Sequence, residues 1–163
     1  METATNTIVR PARLEDVDWI RACLVEFRGE HVKQDADRFE TEADPQQAYT
    51  QWIPELIAGK GGVVLVVERA GARVGYLVAE VYEECPRTWS ARHAHVHDIF
   101  LDAAARGSGA GTALLEAVKS WARKNDIWQL RATTGIWNEP SRAFFLKRSF
   151  RPSCVELLCQ LDA

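Results

Sequence analysis

Between Ala105 and Ala122 the chain reads ARGSGAGTALLEAVKSWA, three glycines in five residues running straight into its most regular helical pattern. Ala110, Ala113, Leu114, Ala117, Val118, Trp121 and Ala122 fall on one stripe, with Glu116, Lys119, Ser120 and Arg123 opposite. That is the spacing of a helix buried along one face. Upstream, a run from near Arg92 to Leu101 reads as a strand. A strand, a bare turn and an amphipathic helix in that order belong to a chain that layers helices against a sheet.

The other segments agree. Thr7–Arg10 reads as a strand stopped by Pro11, and Val17, Ile20, Leu24 and Phe27 then recur at helical spacing. The polar stretch EHVKQDADRFETEAD reads as a connection, after which Asp44 as N-cap and Pro45 as first helical residue open a second helix. Its Ala48, Tyr49, Trp52, Ile53, Leu56 and Ile57 form an apolar stripe, and Gly59 to Gly62 ends it. Val63–Glu68 and Val74–Tyr82 read as antiparallel strands joined through Arg69-Ala70-Gly71-Ala72. Beyond the central helix, Ile127–Thr134 reads as a strand, Pro140–Arg148 as a short helix and Val155–Leu161 as a closing strand. The order β-α-α-β-β-β-α-β-α-β is that of a mixed α/β fold. No repeat or linker interrupts it, so residues 1–163 are expected to form a single domain.

Several classes of function fall away on composition. A formal charge of −3 supplies no basic surface for a polyanion, so nucleic acid is not an expected partner. The longest aliphatic run, Val63–Val67, is far too short to span a bilayer, and the start METATNTIVR, with Glu2, has no apolar leader core. A cytoplasmic protein without a membrane partner is expected. Cys23, Cys85, Cys154 and Cys159 include no CxxC pair and are expected to be buried, reduced thiols.

Glycines at a strand-to-helix junction let several backbone N–H groups converge on an anion at the positive end of the helix dipole. Two nucleotide designs fail on spacing. Gly111 is followed by Thr112 and Ala113, without the lysine a P-loop needs, and Gly107, Gly109 and Gly111 run G-x-G-x-G, not G-x-G-x-x-G. Arg106-Gly107-Ser108-Gly109-Ala110-Gly111 instead resembles the R/Q-x-x-G-x-G/A signature of the GNAT superfamily of N-acetyltransferases. His97-Asp98-Ile99-Phe100-Leu101 ahead of it and Asn138-Glu139-Pro140-Ser141-Arg142-Ala143-Phe144-Phe145-Leu146-Lys147 behind it resemble the flanking motifs in the right order.

The resemblance implies a mostly antiparallel sheet with one splayed parallel strand pair, Ile127–Thr134 beside the strand ending at Leu101, and helices on both faces. It implies acetyl-CoA as cosubstrate. The diphosphate would sit on the N–H groups of Gly107, Ser108, Gly109, Ala110, Gly111 and Thr112, with Arg106 at the entrance. The pantetheine arm would bond to backbone around Ile99, Phe100 and Leu101, with Asn138 and Phe145 beside it. Transfer to a primary amine needs no protein nucleophile, because the thioester is already activated, but it does need an acceptor for the ammonium proton. His97 and Asp98 are the candidates; on a regular strand they face opposite ways, so only a bulge would let both reach one site. His97 has the side chain whose ordinary pKa lies nearest neutrality. Asp98 could equally hold local backbone.

Relatives often carry a tyrosine where this chain has Phe145, so the usual acid for the departing thiolate is missing. Ser149 likewise replaces a common glycine before Phe150. His93, His95 and His97 alternate at chelating reach, but the implied mechanism needs no metal and none is expected. Asn138 could serve as an N-cap as well as a cofactor contact. Glu30, Asp35, Asp37, Glu40, Glu42 and Asp44, with Glu80, Glu83 and Glu84, would make an acidic mouth suited to a small cationic amine, or simply a solvated loop. Trp89 and Trp137 could stack on a substrate or pack. A protein or peptide acetyltransferase and a non-catalytic acyl-CoA-binding module stay open as alternatives. So does a homodimer, a common state among relatives.

Overall fold

The computed structural model describes residues 6–161; the start of the chain around Glu2, read above for a leader core, lies outside them. Five strands form one sheet in the order β1 (Thr7–Pro11), β2 (Gly62–Arg69), β3 (Ala72–Tyr82), β4 (His93–Leu101), β5 (Leu130–Ala132). All neighbours are antiparallel except β4 and β5, which run parallel through Ala94↔Leu130, His95↔Arg131 and Val96↔Ala132. The β2–β3 turn carries Ala70 at φ 49° and Gly71 at φ 80°, the positive values that let a tight hairpin follow the strand twist.

Helices cover both faces. On one, Ile20 and Cys23 of α1 (Val17–Gln34) and Ile53 and Leu56 of α3 (Pro45–Ile57) pack on Val64, Val66, Tyr76, Val78 and Phe100. On the other, Leu114, Leu115 and Val118 of α4 (Ala110–Lys124) and Phe145 of α5 (Glu139–Leu146) pack on Leu65, Val67, Leu77, Ala79 and Val96. Alternate residues of β2 and β3 therefore enter opposite cores, and the strands read as continuous aliphatic runs.

One buried ion cluster joins the first strand to the first helix. Asp16 is only 1% exposed and accepts from Arg10 at 2.7 and 3.1 Å, from Arg73 at 3.2 Å and from the Arg13 N–H at 2.8 Å. These partners, the Arg10 hydrogen bond foremost, hold its carboxyl down at about 2.

Four expectations need correction. The polar stretch after Phe27 is mostly helical: α1 continues to Gln34, and a short turn, α2 (Ala36–Phe39), follows on the Asp35 cap. Charged residues on an exposed helical face carry no apolar period, so the pattern hides the helix. The strand at Ile127–Thr134 shrinks to Leu130–Ala132 because its pairing with β4 stops at Val96↔Ala132. Val155–Leu161 forms no strand; residues 151–161 are exposed and carry no regular structure, since alternation alone makes no strand without backbone pairing to a neighbour. For the same reason the cysteines are not uniformly buried. Cys23 is, Cys85 is half-buried, and Cys154 and Cys159 are exposed on that tail.

Candidate active site

Where β4 and β5 part, a cleft of about 360 Å³ opens. Its walls include Ile99, Phe100 and Leu101 of β4, Ala132, Thr133 and Thr134 on the other side, and Asn138, Phe144 and Phe145 at α5. Arg106 and Gly111 line it beyond the end of β4, His97 lines it earlier on that strand, and Glu26 and Glu30 line it from α1.

At the glycine end, Gly107 (φ 74°) and Gly109 (φ 90°) hold left-handed backbone. A Cβ on Gly111 would meet Leu101 at 3.2 Å and Phe144 at 3.3 Å, so the missing side chain lets α4 approach the strand end. The N–H groups of Gly107, Gly109, Ala110, Gly111 and Thr112 have no backbone partner among the described residues. Ser108 is turned inward, its N–H at 3.3 Å and its hydroxyl at 2.6 Å from the Ala105 carbonyl. Arg106 Nε donates to the Leu101 carbonyl at 3.2 Å, pinning the turn to β4.

A second cation stands here that the sequence does not signal. Arg148 donates to the Thr112 hydroxyl at 3.1 and 2.5 Å and to the Phe144 carbonyl at 2.8 Å, with its guanidinium 4.0 Å from the Phe144 ring centre. It lies just beyond α5 in sequence and reaches α4 only through the tertiary packing of the two helices.

At the far end the bulge that strand alternation called for is present. Val78 pairs with Asp98 and Ala79 with Val96, leaving His97 as the additional residue of β4. His97 Nε2 lies 3.3 Å from Glu80 Oε2 and 3.4 Å from the Tyr82 hydroxyl, with the Trp52 ring edge-on at 5.0 Å and the His95 ring at 4.9 Å. Glu80 and Trp52 enter the site across β3 and α3, so nothing in the local sequence around His97 announces them.

Asp98 takes a different place. It is buried, it is not among the residues lining the cleft, and Tyr49 and Tyr76 both donate to its Oδ2. Burial pushes its carboxyl above the usual range, and that of each tyrosine hydroxyl likewise. Tyr49 packs edge-on against Trp52 at 5.3 Å, so Asp98 is linked through α3 to the ring that rests on His97.

Asn138 caps α5, accepting from the Ser141 N–H at 3.1 Å, and also lines the cleft. Phe145 is in the cleft wall, packed on Phe144 and Phe150. Trp137 lines the cleft beside His31 at 5.1 Å, whereas Trp89 is 95% exposed and apart from it. His95 is pushed down to about 4, chiefly by burial and then by the neighbouring His97 and His93. Among the described residues no group of three His, Cys, Asp or Glu is placed to hold a metal. Nor is any described helix long and apolar enough to cross a membrane.

The sequence model of the acetyltransferase (GNAT) family matches residues 29–150. No curated protein matches. Solved structures do. The tetramutant of the BH1408 protein from Bacillus halodurans is 19% identical, with a TM-score of 0.78 over 94% of this chain and 99% of that one. A predicted acetyltransferase from Clostridium acetobutylicum, solved with acetyl-CoA, is 14% identical with a TM-score of 0.70, over 95% and 96%. The aminoglycoside N-acetyltransferase AAC(6')-Iy, in complex with a bisubstrate analogue of CoA and acetylneamine, is 13% identical with a TM-score of 0.75, over 98% and 100%. At these identities the likeness is one of fold.

Proposed function

The chain belongs to the acetyltransferase (GNAT) family, and from there we propose that residues 1–163 act as one domain moving acetyl from acetyl-CoA to a primary amine of a small cationic molecule, by direct attack in a ternary complex. The observation that carries this reading is the set of N–H groups without a backbone partner, Gly107 and Gly109 to Thr112, at one end of a cleft whose β4 wall runs back to His97. Those amides, with the α4 dipole behind them and Arg106 and Arg148 beside them, suit a diphosphate. Ile99–Leu101 and Thr133–Thr134 lie where the arm would run, and Asn138, Phe144 and Phe145 form its outer wall.

In the transfer, the amine nitrogen bonds to the thioester carbon, the C–S bond breaks with its electron pair leaving on sulfur, and the ammonium proton passes to His97. With Glu80 as the acceptor beside Nε2, that nitrogen carries the hydrogen and Nδ1 is left to take the proton. Glu80 then steadies the imidazolium, the orienting part a carboxylate plays in nucleophile–base pairs. Asp98, kept from the cleft, is a positioning residue acting through Tyr49 and Trp52. Phe145 offers no proton, so coenzyme A leaves as thiolate, tolerable for a thiol of reference pKa about 8.5.

Glu26 and Glu30 in the cleft wall, with Glu80 beside His97, favour a cationic acceptor. The test is release of free CoA thiol from acetyl-CoA against polyamines, amino acids, aminoglycosides and peptides. Turnover with small amines alone supports the proposal, and turnover with peptides alone moves the function to protein acetylation. Calorimetric binding of CoA with no thiol above hydrolysis overturns catalysis and leaves a binding module.

A further inference from the structure

Proton balance in the proposed transfer leaves one donor unassigned. His97 takes the ammonium proton, yet a thiol of reference pKa about 8.5 is mostly protonated at neutral pH, so the departing sulfur must gain a proton as well. Phe145 has none to give. Of the other side chains lining the cleft, Glu26 and Glu30 are of a type that holds no proton at neutrality, and Arg106 of a type that does not release one. Apart from His97, His31 is the one described residue of that wall whose side-chain type exchanges a proton near neutrality.

His31 sits in the last turn of α1, fixed by three rings: Phe27 at 4.5 Å, Phe39 at 5.0 Å and Trp137 at 5.1 Å between ring centres. Its Nδ1 is 2.8 Å from the Phe27 carbonyl oxygen. A carbonyl can only accept, so Nδ1 keeps a hydrogen in either charge state and Nε2 is the nitrogen that gains and loses one. At His97 the allocation is opposite, with Nε2 kept by Glu80 and Nδ1 exchanging. Both rings stand near Asp98: burial raises its carboxyl, and the Tyr49 bond, the His97 charge, the Tyr76 bond and the His31 charge pull it back, in that order. Two imidazoles, one from α1 and one from β4, thus line the cleft along the same stretch of strand.

We infer that His31 is a second catalytic residue, its imidazolium giving the Nε2 proton to the coenzyme A thiolate as the C–S bond breaks. The inference rests on the transfer proposed above. Its balance closes: the amine nitrogen loses a proton to His97 Nδ1, the sulfur gains one from His31 Nε2, and exchange with water resets both rings. No further reactant is needed. The charged groups that face His31 are Glu26 and Glu30 from its own helix, and His97 and Asp98 from β4. Phe39 of α2 and Trp137 ahead of α5 bring no charge, and Arg38 is paired with Glu156.

His31→Asn keeps a donor for the Phe27 carbonyl and removes the exchangeable proton. Its kcat for thiol release should fall about tenfold, less than a base is worth because a thiolate can leave unaided, with the amine KM unchanged. An acid must be protonated to act, so the parent's kcat falls as pH rises through its pKa; the variant should lose that alkaline limb and keep the acid limb of His97. A surviving alkaline limb, or loss of the acid limb instead, overturns the inference. A second measurement needs neither amine nor turnover: the ultraviolet absorbance of thiolate, read for CoA against desulfo-CoA on the protein. Beside an imidazolium the bound thiol should be about tenfold more acidic than free, and His31→Asn should remove the difference. A bound thiol that titrates as the free one does overturns the assignment, even should the variant fail to fold. If the parent turns over while that thiol is unshifted, His31 alone falls; if no amine releases thiol, the transfer falls and the catalytic role of His31 with it.

Discussion

At the scale of single residues, four side chains carry testable weight. His97, the proposed base, has Glu80 3.3 Å away to orient it. His97→Ala is expected to lower kcat/KM by about 10²–10³-fold, the usual contribution of a positioned base, and Glu80→Gln by about tenfold. Steady-state thiol release measures both; an unaffected His97→Ala enzyme removes it from the mechanism. Arg148 stands on the Thr112 hydroxyl at the start of α4, where the diphosphate would lie. Arg148→Ala should weaken CoA about tenfold by calorimetry, or ~1.4 kcal/mol, while leaving kcat near the parent value. Ser149 is held at φ 68°, a region that costs an L-residue roughly 1 kcal/mol. Ser149→Gly should therefore stabilise the chain by about 0.5 kcal/mol in urea unfolding, the relieved strain less the added freedom of the unfolded glycine.

Among elements, the decisive contacts are those that hold one segment in register with another. Asp16 joins β1, β3 and α1 through Arg10 and Arg73, with its carboxyl held at about 2 instead of 3.8. A depressed carboxyl stabilises the fold above its unfolded pKa and ceases to as pH falls through its folded value. The difference is worth about 2 kcal/mol, present at pH 5 and above and lost between roughly pH 4 and 2. Asp16→Asn should lose that amount at neutral pH, and its urea midpoint should fall less than the parent's as the pH drops through that window. Asp98 plays the corresponding part for α3 and β4. Its bonds to Tyr49 and Tyr76 fix the helix that sets Trp52 on His97, and the β4 bulge turns His97 toward the same group. The candidate site thus draws on α1, α3, β3, β4, β5, the start of α4 and α5.

For the whole molecule, one sheet serves two cores, with helices packed on each of its faces. Much of the architecture was legible in one dimension because helical and strand periods are local: the α4 stripe, the Asp44-Pro45 start of α3 and the hairpin at Ala70-Gly71 all stand as their residue types require. The glycine turn was legible for the same reason, since its backbone conformation depends on the residues that adopt it. What tertiary structure decided is everything that needs a neighbour from elsewhere in the chain. Glu80 comes to His97 across a strand pair, Arg148 to Thr112 across two helices, and Asp98 is removed from the cleft by tyrosines 49 and 22 residues away. The tail has the alternation of a strand and pairs with none of the described strands. Period is a property of the segment, whereas pairing and burial are properties of what surrounds it.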